Sequence, residues 1–282
     1  MSAPTLPLDS AQVQTKEPSS FAIGFEDVAI SFGSNEVLRG ISFRLARGET
    51  KALLGVAGSG KSLILKLTMG LIRPDAGRIV VLGEDITQMR EEELFALRRR
   101  IGMVFQESAL FDSLTVSENV AYRLMEEHGI YDHDIDVKVR EALRFVELEH
   151  TVDLYPSELS GGMRRRVAIA RAIISQPELL LYDSPTGGLD PVTSNTIIEL
   201  IVKQRDVYKT SSLLVSNRLQ DAFTMATHQF DKKLNHMVPL PPGQGCEVPM
   251  SFLVLRNGKV IFDGDLQELA NTKDEYIREY IS

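Results

Sequence analysis

The stretch "GVAGSGKS", Gly55 to Ser62, follows the apolar run "TKALL" and precedes "LILKLTMGLI", so a strand enters a glycine-rich loop and a helix leaves it. In that order a loop wraps a phosphate chain with its backbone N–H groups, backed by the helix N-terminus. The glycines are needed because the chain must take positive φ and approach the oxygens closely. Gly55, Val56, Ala57, Gly58, Ser59 and Gly60 form the cradle, Lys61 is placed to reach the β- and γ-phosphates, and Ser62 to hold Mg²⁺. A plain glycine turn accounts for the glycines but not for eight matched positions between a strand and a helix.

Downstream, "PELLLYD" is an apolar strand covered on both faces, "SLLVSN" is a second, and the helical "PVTSNTIIELIVKQRD" lies between them. Alternating strand and helix imply a parallel sheet. Asp183 ends the first strand at its carboxyl edge, where open parallel sheets bind ligands, and is expected to hold Mg²⁺ through water. "LSGGM" precedes the amphipathic "RRRVAIARAII", with Met163, Val167, Ala170 and Ile174 on one face and Ser160 as the helix cap.

Upstream, "FAIGFEDVAISFG" and "VLRGISFRLARGE" alternate in the manner of antiparallel strands. "RPDAGRIVVLGEDIT" adds a turn and strand, and "REEELFALRRRIG" reads as a helix with acids early and arginines late. The stretch from about 113 to 159 is mostly helical. The Pro-rich segment from 227 to 250 is expected to be irregular. "FLVLRNGKVIFDG" reads as a hairpin turning at Asn257-Gly258, and the C-terminus as one amphipathic helix from Asp265, with Leu266, Leu269, Ile277 and Ile281 apolar.

The 282 residues, 43% hydrophobic and 25% charged, suit a globular chain, whereas residues 1–20, rich in Ser, Thr, Pro and Gln, are expected to be disordered. A net charge of -8 repels nucleic-acid phosphates, so nucleic acid is not an expected partner. The single cysteine, Cys246, excludes an internal disulfide. No apolar run reaches the roughly 18 residues of a spanning helix, so the chain is not expected to enter a membrane by itself. His228, His236 and Cys246 share the Pro-rich segment without any standard metal-ligand spacing, which favours a plain surface loop.

The order of these motifs, phosphate loop, "LSGGM", then "LLLYD", resembles the nucleotide-binding subunits of ABC transporters, over residues 21–282 outside the Pro-rich segment. That resemblance implies an α/β P-loop NTPase fold: a RecA-like mixed sheet, an N-terminal antiparallel β-subdomain, and an inserted α-helical subdomain over about 106–165. It implies ATP and Mg²⁺ as cofactors. Phe32 maps to the aromatic that stacks on adenine, and Gln106 to the glutamine that senses Mg²⁺ and the permease. Ser160, Gly161 and Gly162 map to the loop that meets the γ-phosphate held by a second copy of the subunit, and Asp190 to the aspartate along that dimer seam. "GMVFQESALFDSLTVSENV" and "LSGGMRRRVAIARA" look more narrowly like the ATPases of Mla and Mce type lipid systems. Those imply an integral-membrane permease, an Mce-type substrate-binding protein reached through it, and a place on the cytoplasmic face of the inner membrane.

Two positions depart from the family pattern. Its catalytic glutamate, after the strand aspartate, is Ser184 here, and its γ-phosphate histidine is Asn217. A serine hydroxyl is too weak a base at neutral pH, and an amide carries no proton. Losing a general base costs about 10² to 10⁴ in rate, while positioning and electrostatics survive, so slow hydrolysis with retained binding is expected. The alternatives are an ATP-switched regulatory subunit without turnover, an importer ATPase for another small solute, and, more distantly, a soluble ABC protein of repair or translation.

Overall fold

The computed structural model describes residues 20–129, 132–241 and 243–281, so nearly all of the expected N-terminal tail lies outside the described residues. An antiparallel layer opens the chain. β1 (Phe21–Phe32) pairs with β2 (Asn35–Ala46) and with β4 (Ala76–Val81), which pairs with β5 (Glu84–Asp85), in the order β2-β1-β4-β5. β2 alternates because one face is packed and the other is wet, whereas β1, between two strands, is buried at every position from Ala22 to Phe25.

β3 (Thr50–Leu54) is buried at all five positions and feeds α1 (Lys61–Thr68). It is central to a six-stranded sheet in the order β12-β11-β3-β8-β7-β6. Here β7 is Leu179–Asp183, β8 Ser211–Val215, β11 Met250–Arg256 and β12 Lys259–Gly264. The pairs β11·β3, β3·β8, β7·β8 and β6·β7 are parallel, and β12 closes one edge antiparallel. The remaining strand, β6 (Ile101–Val104), follows α2 (Glu91–Arg98) and pairs Ile101 with Leu179. The helix expected over "REEELFALRRRIG" ends at Arg98 and gives way to β6, whose four residues after an arginine run are too short to display a period.

The helical subdomain holds α3 (Val116–His128) and α4 (His133–Phe145), and α5 (Gly161–Ile173) carries its chain back into the core. Each start is capped: Thr115 with Glu118 forms a capping box, Asp132 accepts from the Ile135 N–H, and Ser160 from the Met163 N–H. Val167, Ala170 and Ile174 are buried as their spacing requires, and Met163 packs partly buried against them. After α6 (Pro191–Tyr208) and β8 comes α7 (Leu219–Thr227).

Three further expectations need correction. Residues 227–250 are not irregular throughout: β9 (His228–Asp231) and β10 (His236–Pro239) form an antiparallel hairpin. Local sequence conceals it because its support is tertiary. Asp231 closes the turn by accepting from the Lys233 and Leu234 N–H groups, and α6 holds the strands, with Glu199 accepting from Met237 N–H and Asp206 from Phe230 N–H, both at 2.8 Å. The C-terminus is two helices, α8 (Leu266–Ala270), capped by Asp265, and α9 (Glu275–Ile281), where Asp274 takes the Ile277 N–H at 3.0 Å. A second capping aspartate nine residues after the first starts a second helix. Helix α1 likewise stops at Thr68, short of Leu71. The Asn257-Gly258 turn has φ of 50 and 74, as a two-residue hairpin turn with both centres left-handed requires.

Candidate nucleotide site

The phosphate loop leaves β3 at the carboxyl edge of the sheet. Gly55 has φ 149 and Gly60 φ 99. A Cβ on Gly55 would lie 2.5 Å from the Leu255 carbonyl oxygen, and one on Gly60 2.8 Å from Leu38 Cδ2, so β11 and β2 clamp the loop and only glycine fits. Lys61 is buried, and its Nζ donates to the Gly55 and Val56 carbonyls at 2.8 Å each. Burial pushes its ammonium below the ordinary lysine range, and the Asp183 charge partly opposes that. Val56 to Ser59 line a cavity of about 500 Å³, walled by Asn35 to Val37 and by the Asn257-Gly258 turn. Phe32, exposed, ends β1 opposite Asn35 of that wall.

Across the sheet, Ser62 Oγ donates to Asp183 Oδ1 at 3.1 Å, so the two oxygens read as Mg²⁺ ligands are neighbours. Ser184 is buried in a left-handed conformation, φ 46, with its N–H on the Val215 carbonyl at 2.8 Å. Gly187 lies between Ser184 and Gln106: a Cβ there would be 3.5 Å from Ser184 Cβ and 3.7 Å from Gln106 Cγ. Gln106 is exposed just after β6, and Asn217 is exposed just after β8. The sheet order thus brings Ser62, Gln106, Asp183 and Ser184 to one edge, with Asn217 at the end of the adjoining strand.

Ser160 and Gly161 are exposed at the start of α5, away from this cluster in sequence and on a separate helix. Asp190 caps α6: one oxygen accepts from the Val192 and Thr193 N–H groups at 3.0 Å and the other from Thr193 Oγ1 at 2.5 Å. These bonds hold its carboxyl below the usual carboxylate range. Occupied in this way, Asp190 is a helix cap and a poor substitute for the base that Ser184 lacks.

The family model described as ABC transporter matches residues 38–187. The chain is 31% identical, over 92% of its length and 88% of the relative's, to the intermembrane phospholipid transport system ATP-binding protein MlaF of Escherichia coli K12. The chain belongs to the ABC transporter family. It is an ABC ATP-binding subunit, of the ATPase class. A chloroplastic relative in Arabidopsis thaliana, protein TRIGALACTOSYLDIACYLGLYCEROL 3, is 36% identical over 93% of this chain and 74% of its own length. A solved dimeric ATP-binding cassette, in a post-hydrolysis state with ADP and Pi, superposes with a TM-score of 0.71 at 26% identity over 86% of this chain and 98% of the other.

Buried charged groups outside the motifs hold the loops of this ABC cassette together. Asp221 is buried; its carboxylate receives the Thr186 hydroxyl, lies 3.2 Å from Ser216 Oγ and 3.6 Å from Arg218 Nε. It thereby ties the loop after Ser184 to the turn holding Asn217, and burial raises its pKa above the usual carboxylate range. A carboxylate within the apolar "LQDAFTMA" was the available signal. The arginine triplet is not a solvated face. Arg164 donates to Leu159 O at 2.6 Å, buried Arg165 to Phe105 O at 2.9 Å and Gly187 O at 3.3 Å, and Arg166 to Val146 O at 3.2 Å. Arg165 stands three and four residues before buried Ala168 and Ile169, a spacing that places it on the inner face. Arg171 donates to the carbonyls of Ser108 and Ala109 at 2.8 and 2.7 Å, bracing two consecutive left-handed residues just past Gln106.

Among the described residues no helix is long and apolar enough to cross a membrane, and no group of three or more His, Cys, Asp and Glu is placed to hold a metal. His228 Nδ1 lies 3.0 Å from Thr224 O and Cys246 Sγ 3.3 Å from Ala226 O, both at the end of α7, whereas His236 Nδ1 lies 3.2 Å from Glu199 Oε1 on α6.

Proposed function

We propose that this ABC subunit couples ATP binding and slow hydrolysis to transport of phospholipid or another lipid across the cell envelope. The observation that carries the slow rate is the buried Ser184 after Asp183, with Asn217 beyond β8 and Asp190 committed to a cap. The relatives named for phospholipid transport support the lipid reading. Gly55 to Lys61 grip the triphosphate, Phe32 stacks on the adenine, and Gln106 reports to the permease.

Mg²⁺ suits this donor set. It keeps several waters, uses few protein oxygens and prefers phosphate partners, and adjacent oxygens of an octahedron with 2.0–2.1 Å bonds stand about 2.9 Å apart. Ser62 Oγ and Asp183 Oδ1, 3.1 Å apart, fit such an edge directly or with Asp183 one water removed. When bound, the ion neutralises charge that builds on the transferred phosphoryl group.

A second copy completes the site. Ser160, Gly161 and Gly162 at the positive end of α5 meet the γ-phosphate held by the other protomer, and Asp190 lies along the seam. The dimer works beneath an integral-membrane permease on the cytoplasmic face of the inner membrane, with an Mce-type substrate-binding protein beyond it and no nucleic acid. Steady-state turnover of Mg·ATP with the permease present tests the reading. A slow steady rate above buffer supports it; tight ATP binding with no turnover favours the regulatory clamp.

A pH dependence follows from Lys61. Burial lowers its pKa in the free site, and a triphosphate raises it again. Affinity for ATP is therefore full below the lowered Lys61 pKa and declines as pH rises through it, at a pH below the ordinary lysine value of 10.5. Across that window binding takes up protons. Titration calorimetry in two buffers of different ionisation enthalpy is expected to register the uptake, and identical heats would count against Lys61 as the phosphate ligand.

A further inference from the structure

The C-terminal helix reaches the phosphate loop. Tyr280, in α9, places its hydroxyl 3.2 Å from the Gly55 N–H, which donates to it, and 3.4 Å from the Gly55 carbonyl, to which it donates. The two residues are 225 positions apart. That carbonyl is the one that also accepts from Lys61 Nζ at 2.8 Å.

We propose that Tyr280 is a positioning residue for ATP binding: its hydroxyl fixes Gly55 and remains as donor to the Gly55 carbonyl when Lys61 turns to the phosphates. This rests on the reading of Gly55 to Ser62 as the triphosphate loop. In the free site Lys61 serves the Gly55 and Val56 carbonyls together. Reaching a phosphate withdraws that charged donor, and a buried carbonyl left without a partner is costly. Tyr280 lowers this cost at Gly55, a position where β11 leaves no room for a Cβ.

The helix is built to hold the hydroxyl there. Ile277 is buried in the cluster of Ala52, Leu54, Phe252, Val254 and Leu269, on the face of the sheet that includes the last residue before the loop. The Arg256 guanidinium lies 3.9 Å from the centre of the Tyr276 ring, and Tyr276 stacks on Tyr280 with ring centres 6.2 Å apart and planes 13° apart. Tyr280 is thus held by its ring as well as by its hydroxyl, which limits the entropy lost in keeping the bond.

Tyr276 supplies the control. Its hydroxyl is buried with no hydrogen-bond partner among the described residues, so Tyr276→Phe removes the same atom from the same helix without touching Gly55. In the full chain Tyr280→Phe is expected to raise KM and Kd for Mg·ATP about tenfold, equal to about 1.4 kcal/mol, with the loss in KM and not in kcat. Tyr276→Phe is expected to bind Mg·ATP as the parent does, and affinities are compared well below the melting temperature of each variant, because Tyr280→Phe also leaves the buried Gly55 N–H without its acceptor. Parental affinity in Tyr280→Phe, or an equal loss in Tyr276→Phe, overturns the inference. The parent chain gives a measurement that needs no variant: Mg·ATP is expected to slow amide exchange across 275–281, and unchanged exchange there likewise overturns it. If the parent itself bound no Mg·ATP, the reading of the loop would fail first, a separate result from ATP binding that ignores Tyr280.

Discussion

The double variant Ser184→Glu with Asn217→His is expected to turn over Mg·ATP about 10²-fold faster than the parent or more. The scaffold needed for the gain is already present. Asp183 and Ser62 stand 3.1 Å apart, the loop is clamped, and Gln106 and Gly187 border position 184. What is missing is an acceptor for the proton of the attacking water, and a carboxylate at 184 supplies it. The Ser184 N–H bond to Val215 keeps the backbone of that position fixed, so a longer side chain extends from a set origin. Low exposure at the site raises the pKa of a new glutamate toward neutrality, which improves it as a base. Histidine at 217 adds a donor that an amide cannot match in charge. Residues that act as a unit do not add, so each single change is expected to recover far less than the pair. Single-turnover assays and ATP titrations on the same samples decide the matter: a faster chemical step at nearly unchanged Kd is expected. Unchanged turnover with intact ATP binding would mean that Ser184 and Asn217 are not what limits the rate.

The groups most legible in sequence were those whose geometry is local. Gly55 to Ser62 carries its own strand, turn and helix signals, and "LLLYD" and "SLLVS" are continuous apolar runs because parallel strands are covered on both faces. Ser160 was readable as a cap for the same reason, since a cap needs only the next three residues. Whatever depends on distant partners was hidden. Arg165 finds its carbonyl partners, Phe105 and Gly187, on the loops that follow two different strands. The Asp221 network joins residues around 186, 216 and 221, and Tyr280 meets Gly55 across almost the whole chain. The hairpin of β9 and β10 eluded pattern reading because it is short and leans on α6, whose Asp206 and Glu199 accept from its backbone, and on the core against which Phe230 and Met237 pack.

That last dependence gives the largest stability effect. Arg205→Ala is expected to destabilise the fold by about 3–5 kcal/mol, the usual result of removing one partner from a buried ion pair. Arg205, in α6, is 2% exposed. Its Nε and Nη2 bind the Asp206 carboxylate at 2.6 and 3.0 Å, Nη2 also donates to His228 O at 2.8 Å, and Nη1 donates to Met225 O. Asp206 in turn accepts the Phe230 N–H at 2.8 Å, so one ion pair joins α6, the end of α7 and the first strand of the hairpin. Removing the guanidinium leaves Asp206 uncompensated, takes the Arg205 donor from His228 O, and leaves Met225 O with the weak Cys246 S–H, whereas the nucleotide loop loses nothing. Melting temperature is expected to fall by about 10 °C, at roughly 2–4 °C per kcal/mol for a chain of this size, and protease cleavage within 228–249 to accelerate. Affinity for Mg·ATP at low temperature is expected to stay at the parental level, which separates anchoring of the hairpin from action at the site. Arg205→Met with Asp206→Asn removes both charges and retains an oxygen for the Phe230 N–H. It is therefore expected to regain more than half of the lost stability. If the double variant were no more stable than Arg205→Ala, the penalty would come from the loss of the Arg205 donor at the carbonyls of Met225 and His228 and not from the stranded carboxylate.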